Sequence, residues 1–133
     1  MTENKDYTIL VVDDSTTNVV LLEAILDEKG YQIETALNAK EAYNIIDKQT
    51  PDLILLDLLM PKISGFDFLE EIRKNEKTVN TPVIVVSALT DEENIEKIMN
   101  MGAIDFVKKP IDLQYLVDKV ESVLQDAHLA QEE

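Results

Sequence analysis

Short apolar runs alternate along the chain with longer stretches in which apolar residues recur every three or four positions. Ile9–Val12, Leu53–Leu56 and Val83–Val86 consist wholly of Val, Ile and Leu. Short runs this rich in aliphatic residues predict strands that are buried on both faces of a sheet. Gln32–Ala36 and Asp105–Lys108 are weaker strand candidates. The pattern predicts five strands in all.

Helical spacing fills the gaps between these strands and continues after the last one. Asn38 with Glu41 fits a capping box at the start of one helix, and Thr90 with Glu93 fits another. Strands that alternate with helices predict a parallel sheet with right-handed crossovers. The 133 residues fit one domain, which we place at residues 7–124. Residues 1–6 and 125–133 are expected to be flexible or to extend a helix.

Charge and composition exclude several classes of function. The net charge of −15 disfavours binding to nucleic acid and to anionic membrane surfaces. There is no Cys, which excludes disulfides and thiolate metal sites, and the single His128 near the C-terminus is expected to be solvated. The polar N-terminus is no signal peptide, and no apolar run approaches a membrane span. We therefore expect a cytoplasmic protein.

Polar and charged residues follow four of the five predicted strands. Asp13 and Asp14 follow the first, Asp57 the third, Ser87 the fourth and Lys109 the fifth. A parallel sheet gathers these strand ends at one edge, where ligands bind. Taken singly, each residue is more typical of a helix cap, a turn or a solvated surface. Their joint placement indicates a functional site.

These residue types suit phosphoryl transfer to an aspartate. Three converging carboxylates repel one another, and a divalent cation that prefers oxygen ligands relieves that repulsion. Such a cation is Mg²⁺, with Mn²⁺ as an alternative. A carboxylate such as Asp57 can accept a phosphoryl group covalently. Lys109 could neutralise charge on the phosphoryl oxygens, and the Ser87 hydroxyl could donate a hydrogen bond to one of them.

The motifs resemble the receiver domains of bacterial two-component response regulators over about Tyr7 to Leu124. The matching segments are Asp13–Asp14, Asp57–Pro61 with Gly65, Ser87–Ala88 and Lys109–Pro110. The resemblance implies a flavodoxin-like (βα)₅ fold with strand order 2-1-3-4-5 and helices on both faces. It also implies Mg²⁺-dependent phosphorylation by a histidine kinase or a histidine phosphotransfer protein. The chain would then be a signalling domain and not an enzyme. Its only reactions would be its own phosphorylation and slow dephosphorylation.

The resemblance also assigns roles to individual residues. It implies that Asp57 is the phosphoacceptor and that Ser87 and Lys109 hold the phosphoryl oxygens. The implied metal ligands are Asp13, Asp14, Asp57 and the backbone carbonyl of Leu59. A cis peptide bond between Lys109 and Pro110 is expected as well.

The resemblance also implies a signalling role for Ser87 and for an aromatic switch residue, which in this sequence is Phe106. The resemblance implies that Ser87 moves toward the phosphoryl group while Phe106 turns inward. Plain core packing is the alternative role for Phe106. The changed surface would comprise 91–101, 105–108 and 112–124, and it would bind a downstream protein or a second copy of the chain.

Two rival functions share parts of this pattern. An FMN-binding flavodoxin-like protein would have the same fold, but Asp13 and Asp14 would repel its phosphate. An aspartyl-phosphate hydrolase would need an Asp-x-Asp motif after the first strand, where this chain has adjacent aspartates.

Two residues depart from the family pattern. Leu59 and Leu89 stand where family members often carry polar residues, which leaves the lifetime of a phosphorylated state open.

Overall fold

The computed structural model describes residues 4–60, 62–88 and 91–132, with side chains of the last helix as far as Ala127. Strands and helices alternate from the first strand onward. The strands are β1 Thr8–Val12, β2 Gln32–Ala36, β3 Leu53–Leu56, β4 Val83–Ser87 and β5 Asp105–Lys108. The helices are α1 Thr16–Glu28, α2 Ala39–Lys48, α3 Gly65–Lys74, α4 Glu92–Asn100 and α5 Leu113–Glu132.

The five strands form one parallel sheet in the order β2-β1-β3-β4-β5. Every residue of β1, β3 and β4 is buried, which explains why these strands are continuous apolar runs. The edge strands β2 and β5 are partly exposed and carry polar residues. The predicted fold class and strand order are confirmed.

Helices cover both faces of the sheet. On one face, Leu10 and Val12 of β1 pack in a cluster with buried residues of α2, α3 and α4. On the other face, Ile9 and Val11 pack in a cluster with buried residues of α1 and α5. Successive side chains of a strand point to opposite faces, so a single apolar run contributes to both cores.

The helix starts largely follow the sequence signals. Asn38 caps α2, since its Oδ1 accepts a hydrogen bond from the Glu41 backbone N–H at 2.9 Å. The capping box predicted from Thr90 to Glu93 was wrong. Thr90 lies outside the described residues, and α4 has Asp91 at its N-cap position. Asp91 accepts hydrogen bonds from the Asn94 side chain instead of from the helix backbone.

The chain termini and one proline bond complete the fold. Asn4–Asp6 form a 3₁₀ turn, and the Asn4 side chain donates a hydrogen bond to the Lys29 carbonyl at 2.6 Å. At the other end, α5 extends to Glu132. The peptide bond between Lys109 and Pro110 is cis, which confirms that prediction.

Gly65 allows the start of α3 to lie directly on the loop that follows β3. Its backbone N–H donates a hydrogen bond to the Leu58 carbonyl at 2.9 Å. A Cβ at this position would overlap the carbonyl oxygen of Asp57 and the Cα of Leu58, and neither backbone atom can easily move. The close contact therefore requires a residue without a side chain.

Gly65→Ala should lower the free energy of unfolding by about 2 kcal/mol or more, because the added methyl group displaces this loop. Urea denaturation of the metal-free protein measures the change directly. Asn44→Ala, at an exposed position of α2, is the matched control and should change stability by less than about 0.5 kcal/mol. Equal stability of both variants would contradict the close-contact argument.

Candidate metal and phosphoryl site

Three aspartates converge at the carboxyl ends of the central strand β3 and its neighbour β1. Asp13 and Asp14 follow β1, and Asp57 follows β3. The pairing of Val12 with Leu56 brings these strand ends level, and the Asp57 N–H donates to the Val12 carbonyl at 2.9 Å. One carboxylate oxygen of each aspartate lies within 4.8 Å of the others.

The three carboxylates differ in exposure and in their hydrogen bonds. Asp13 and Asp57 are buried, with 2% and 4% of their surface exposed, whereas Asp14 is exposed. Asp13 Oδ1 accepts a hydrogen bond from the Ser15 N–H at 2.9 Å. Asp57 Oδ1 accepts one from the Leu59 N–H at 3.2 Å. These backbone donors fix the orientation of both buried carboxylates.

Lys109 supplies the positive charge next to the two buried carboxylates. Its Nζ lies 3.0 Å from Asp13 Oδ2 and 3.4 Å from Asp57 Oδ2. Burial alone would lower the pKa of Lys109, but the hydrogen bond to Asp13 and the two negative charges outweigh burial and raise that pKa. Lys109 therefore carries its positive charge at neutral pH.

Asp57 is the carboxylate whose ionisation is opposed by its surroundings. Burial raises the pKa of Asp57, and the negative charge of Asp13 acts in the same direction. The Leu59 N–H and Lys109 counteract part of this rise in pKa. A cation bound beside Asp57 would further favour the ionised form, because opposite charges stabilise each other.

The other residues singled out from the sequence lie around this centre. Ser87 is fully buried at the end of β4, and its carbonyl accepts a hydrogen bond from the Lys109 N–H at 3.0 Å. Phe106 on β5 is half-buried and packs against the core on the α2–α4 face. The Leu59 side chain is 51% exposed, whereas Leu89 lies outside the described residues.

Two contacts that α3 makes with α4 and with the loop after α4 were not expected from the sequence. Lys97 Nζ of α4 lies 4.5 Å from the centre of the Phe66 ring of α3. Arg73 Nη2 of α3 donates a hydrogen bond to the Gly102 carbonyl at 2.9 Å. Neither contact has a sequence signal, because both depend on how two helices pack side by side.

The arrangement suits a small, hard cation. Carboxylate oxygens from three residues meet at one point, and the exposure of Asp14 leaves one side accessible to solvent. Mg²⁺ takes oxygen ligands and keeps several waters, so one or two carboxylates suffice and a phosphate oxygen can replace a water. The donor set therefore fits Mg²⁺ better than a metal that requires sulfur or imidazole ligands.

Comparison with known proteins agrees with this geometry. The family described as "Response regulator receiver domain" matches residues 9–121. The chain is 34% identical over 118 residues to the phosphate regulon transcriptional regulatory protein PhoB of Pseudomonas aeruginosa, covering 89% of this chain and 52% of PhoB. It is 38% identical over 116 residues to the nisin biosynthesis regulatory protein NisR of Lactococcus lactis, covering 87% of this chain and 49% of NisR.

A solved structure of similar sequence has the same fold. The chemotaxis protein CheY4 of Vibrio cholerae superimposes with a TM-score of 0.84 at 28% identity, covering 88% of this chain and 98% of that chain. The chain belongs to the response regulator receiver domain family. It spans about half the length of PhoB and NisR.

Membership of this family bears on the rival functions. Receiver domains are phosphoaccepting signalling domains that are phosphorylated by histidine kinases and bind Mg²⁺ in an acidic pocket. The FMN-binding and hydrolase alternatives are not favoured. Within the described part of the chain, no helix is both long and apolar enough to cross a membrane.

Mg²⁺ should stabilise the protein against unfolding because the ion relieves repulsion among the three aspartates. The expected gain is about 2.7 kcal/mol when free Mg²⁺ exceeds its dissociation constant a hundredfold. Asp14→Asn should lose most of this gain, whereas Asp27→Asn, on the exposed surface of α1, should retain it. Thermal unfolding across a Mg²⁺ titration measures both. Equal stabilisation of the Asp14 variant would exclude Asp14 as a ligand.

Proposed function

We propose that the chain is a phosphorylation switch in which Asp57 accepts a phosphoryl group from a histidine kinase or a histidine phosphotransfer protein. The observation that carries this proposal is the convergence of Asp13, Asp14 and Asp57 beside Lys109. Mg²⁺, with Mn²⁺ as a substitute, would be held by these carboxylates and by the Leu59 carbonyl. The receiver domain would comprise residues 7–124.

The transfer step follows from the position of Asp57. An Asp57 carboxylate oxygen forms a bond to the phosphorus of a phosphohistidine, and the phosphorus–nitrogen bond breaks. The electron pair of that bond stays on the histidine nitrogen, which takes up a proton. Mg²⁺ held by Asp13, Asp14 and Asp57 would neutralise negative charge on the phosphoryl oxygens. Charge neutralisation and positioning supply most of the rate enhancement in phosphoryl transfer.

Lys109 and Ser87 would hold the transferred group. Lys109 already lies 3.4 Å from Asp57, so a small rotation brings its ammonium group to a phosphoryl oxygen. The Ser87 hydroxyl, at the end of the neighbouring strand β4, would donate a hydrogen bond to another oxygen. Ser87 ends β4, which pairs with β3, the strand before Asp57, and Lys109 follows β5 on the other side of β4. This placement, with the short distance from Lys109 to Asp57, supports both roles.

The phosphorylated state would be transmitted through Ser87 and Phe106. Movement of Ser87 toward the phosphoryl group opens space beside β4 and β5, into which the Phe106 ring turns. Its half-buried position and its contact with the core support a switch between an inward and an outward arrangement of the ring. Phosphorylation would then shift the population between these two arrangements.

The surface that changes would be the α4-β5-α5 face. It would bind a downstream protein or a second copy of the chain, with no direct contact to nucleic acid or membrane. The domain itself would have no enzymatic output beyond its own phosphorylation and slow dephosphorylation.

A cytoplasmic location stays a prediction. PhoB is named a transcriptional regulatory protein, and a comparable output would require residues beyond this chain.

Asp57→Asn should abolish phosphorylation by acetyl phosphate in the presence of Mg²⁺, because an amide cannot form the acyl phosphate. Asp47→Asn, an exposed carboxylate on α2, is the matched control and should be labelled like the unmodified protein. Phosphate-affinity gel electrophoresis and intact-mass spectrometry measure the labelled fraction. Undiminished, Mg²⁺-dependent labelling of the Asp57 variant would refute the assignment.

Activation should alter hydrogen exchange mainly in the α4-β5-α5 face. Beryllofluoride with Mg²⁺ serves as the phosphoryl analogue, and mass spectrometry compares the loaded and unloaded protein. We expect changes in peptides that cover α4, β5 and the first half of α5, in addition to the loops around Asp57. Changes confined to α1 and α2 would show that the output surface lies elsewhere.

A further inference from the structure

Helix α4 is attached to the domain unevenly along its length. Of its nine residues, only Ile98, near its C-terminal end, is buried. By contrast, α3 buries Gly65, Phe68, Leu69 and Ile72. Because packing of an apolar face supplies most of the stability of a helix in a protein, the attachment of α4 is concentrated near Ile98.

The C-terminal end of α4 is fixed by Arg73 of α3. The half-buried guanidinium donates hydrogen bonds to the carbonyls of Gly102 at 2.9 Å, Thr78 at 3.0 Å and Val79 at 3.3 Å. One side chain thus connects the loop after α4 to α3 and to the loop before β4. Hydrogen bonds from a charged donor are stronger than neutral ones, so this connection is firm.

The N-terminal end of α4 lacks a comparable attachment among the described residues. Asp91 occupies the N-cap position, but its carboxylate accepts from the Asn94 side chain at 2.8 and 3.0 Å and makes no cap hydrogen bond to the helix backbone. Loss of such a cap typically costs about 1 kcal/mol of helix stability. Glu92 and Glu93 in the first turn are exposed.

Lys97 bridges the cleft between α3 and α4. This cleft has a volume of about 390 Å³, and Lys97 Nζ crosses it to lie 4.5 Å from the Phe66 ring centre. Phe66 directly follows Gly65, whose N–H bonds to the carbonyl of Leu58 beside Asp57. The contact therefore links α4 to the loop that carries the phosphoacceptor.

We propose that the Lys97–Phe66 contact is a latch that holds α4 in its unphosphorylated position, and that the Arg73–Gly102 hydrogen bond is the hinge about which α4 moves. This inference rests on the proposed function. Phosphorylation of Asp57 would shift the first turn of α3, release Lys97 from the Phe66 ring and free the part of α4 that precedes Ile98. By reciprocity, weakening the latch must favour the phosphorylated arrangement.

Three variants isolate the latch. Lys97→Gln removes the cation and keeps a long, helix-favouring side chain, whereas Lys97→Arg keeps the cation over the ring. Lys74→Gln is the matched control, because Lys74 lines the same cleft, is exposed and gives the same change in net charge. Lys97 is also exposed, so all three variants should fold.

Hydrogen exchange of the unphosphorylated protein tests the latch and the hinge. A cation–π contact at an exposed site corresponds to about a two- to fivefold change in an equilibrium constant. Amides of Ile95–Lys97 should therefore exchange faster by that factor in Lys97→Gln, while those of Met101–Ala103 stay unchanged. Equal acceleration at both ends of α4, or none at either end, would overturn the hinge.

Beryllofluoride binding tests the regulatory role of the latch. At fixed Mg²⁺, Lys97→Gln should bind beryllofluoride about two- to fivefold more tightly, with Lys97→Arg and Lys74→Gln close to the unmodified protein. Unchanged or weaker binding by Lys97→Gln, or an equal gain in Lys74→Gln, would overturn the latch. Failure of the unmodified protein to bind beryllofluoride would overturn the proposed function, and the exchange pattern would still test the hinge.

Discussion

The placement of two buried carboxylates side by side is the constraint on which the rest of the site depends. The register between β1 and β3 brings Asp13 next to Asp57, and both are almost fully removed from solvent. Two buried like charges are unfavourable unless positive charge is present. Lys109 supplies one such charge from β5, and the need for a second explains the affinity for a divalent cation that we propose.

The same constraint connects the chemistry to the movement of the domain. Lys109 is shared between Asp13 and Asp57, so a phosphoryl group on Asp57 would compete for its ammonium group. Any rearrangement around Asp57 reaches α3 through the backbone contact at Gly65. Among the five helices, α4 is the one least able to resist such a rearrangement, since it buries a single side chain in the described part of the chain.

Most of the fold and the convergence of the site could be predicted from the sequence. The buried central strands leave an unmistakable pattern of aliphatic residues, and the polar residues that follow them must meet at one edge of a parallel sheet. The start of α4 was misplaced by one residue because Thr90 and Asp91 are both good caps by residue type, and Asp91 occupies the N-cap position without a cap hydrogen bond. The contacts of Lys97 and Arg73 depend on tertiary packing, which has no local signal.

Chemical trapping of the phosphorylated state identifies the phosphoacceptor directly. The protein is treated with acetyl phosphate and Mg²⁺, and borohydride then reduces any acyl phosphate to an alcohol. Peptide mass spectrometry locates the modified residue. We expect homoserine at position 57 and at no other position, and none when a chelator removes Mg²⁺. Homoserine at position 13 or 14, or trapping that is independent of Mg²⁺, would contradict Mg²⁺-dependent phosphorylation of Asp57.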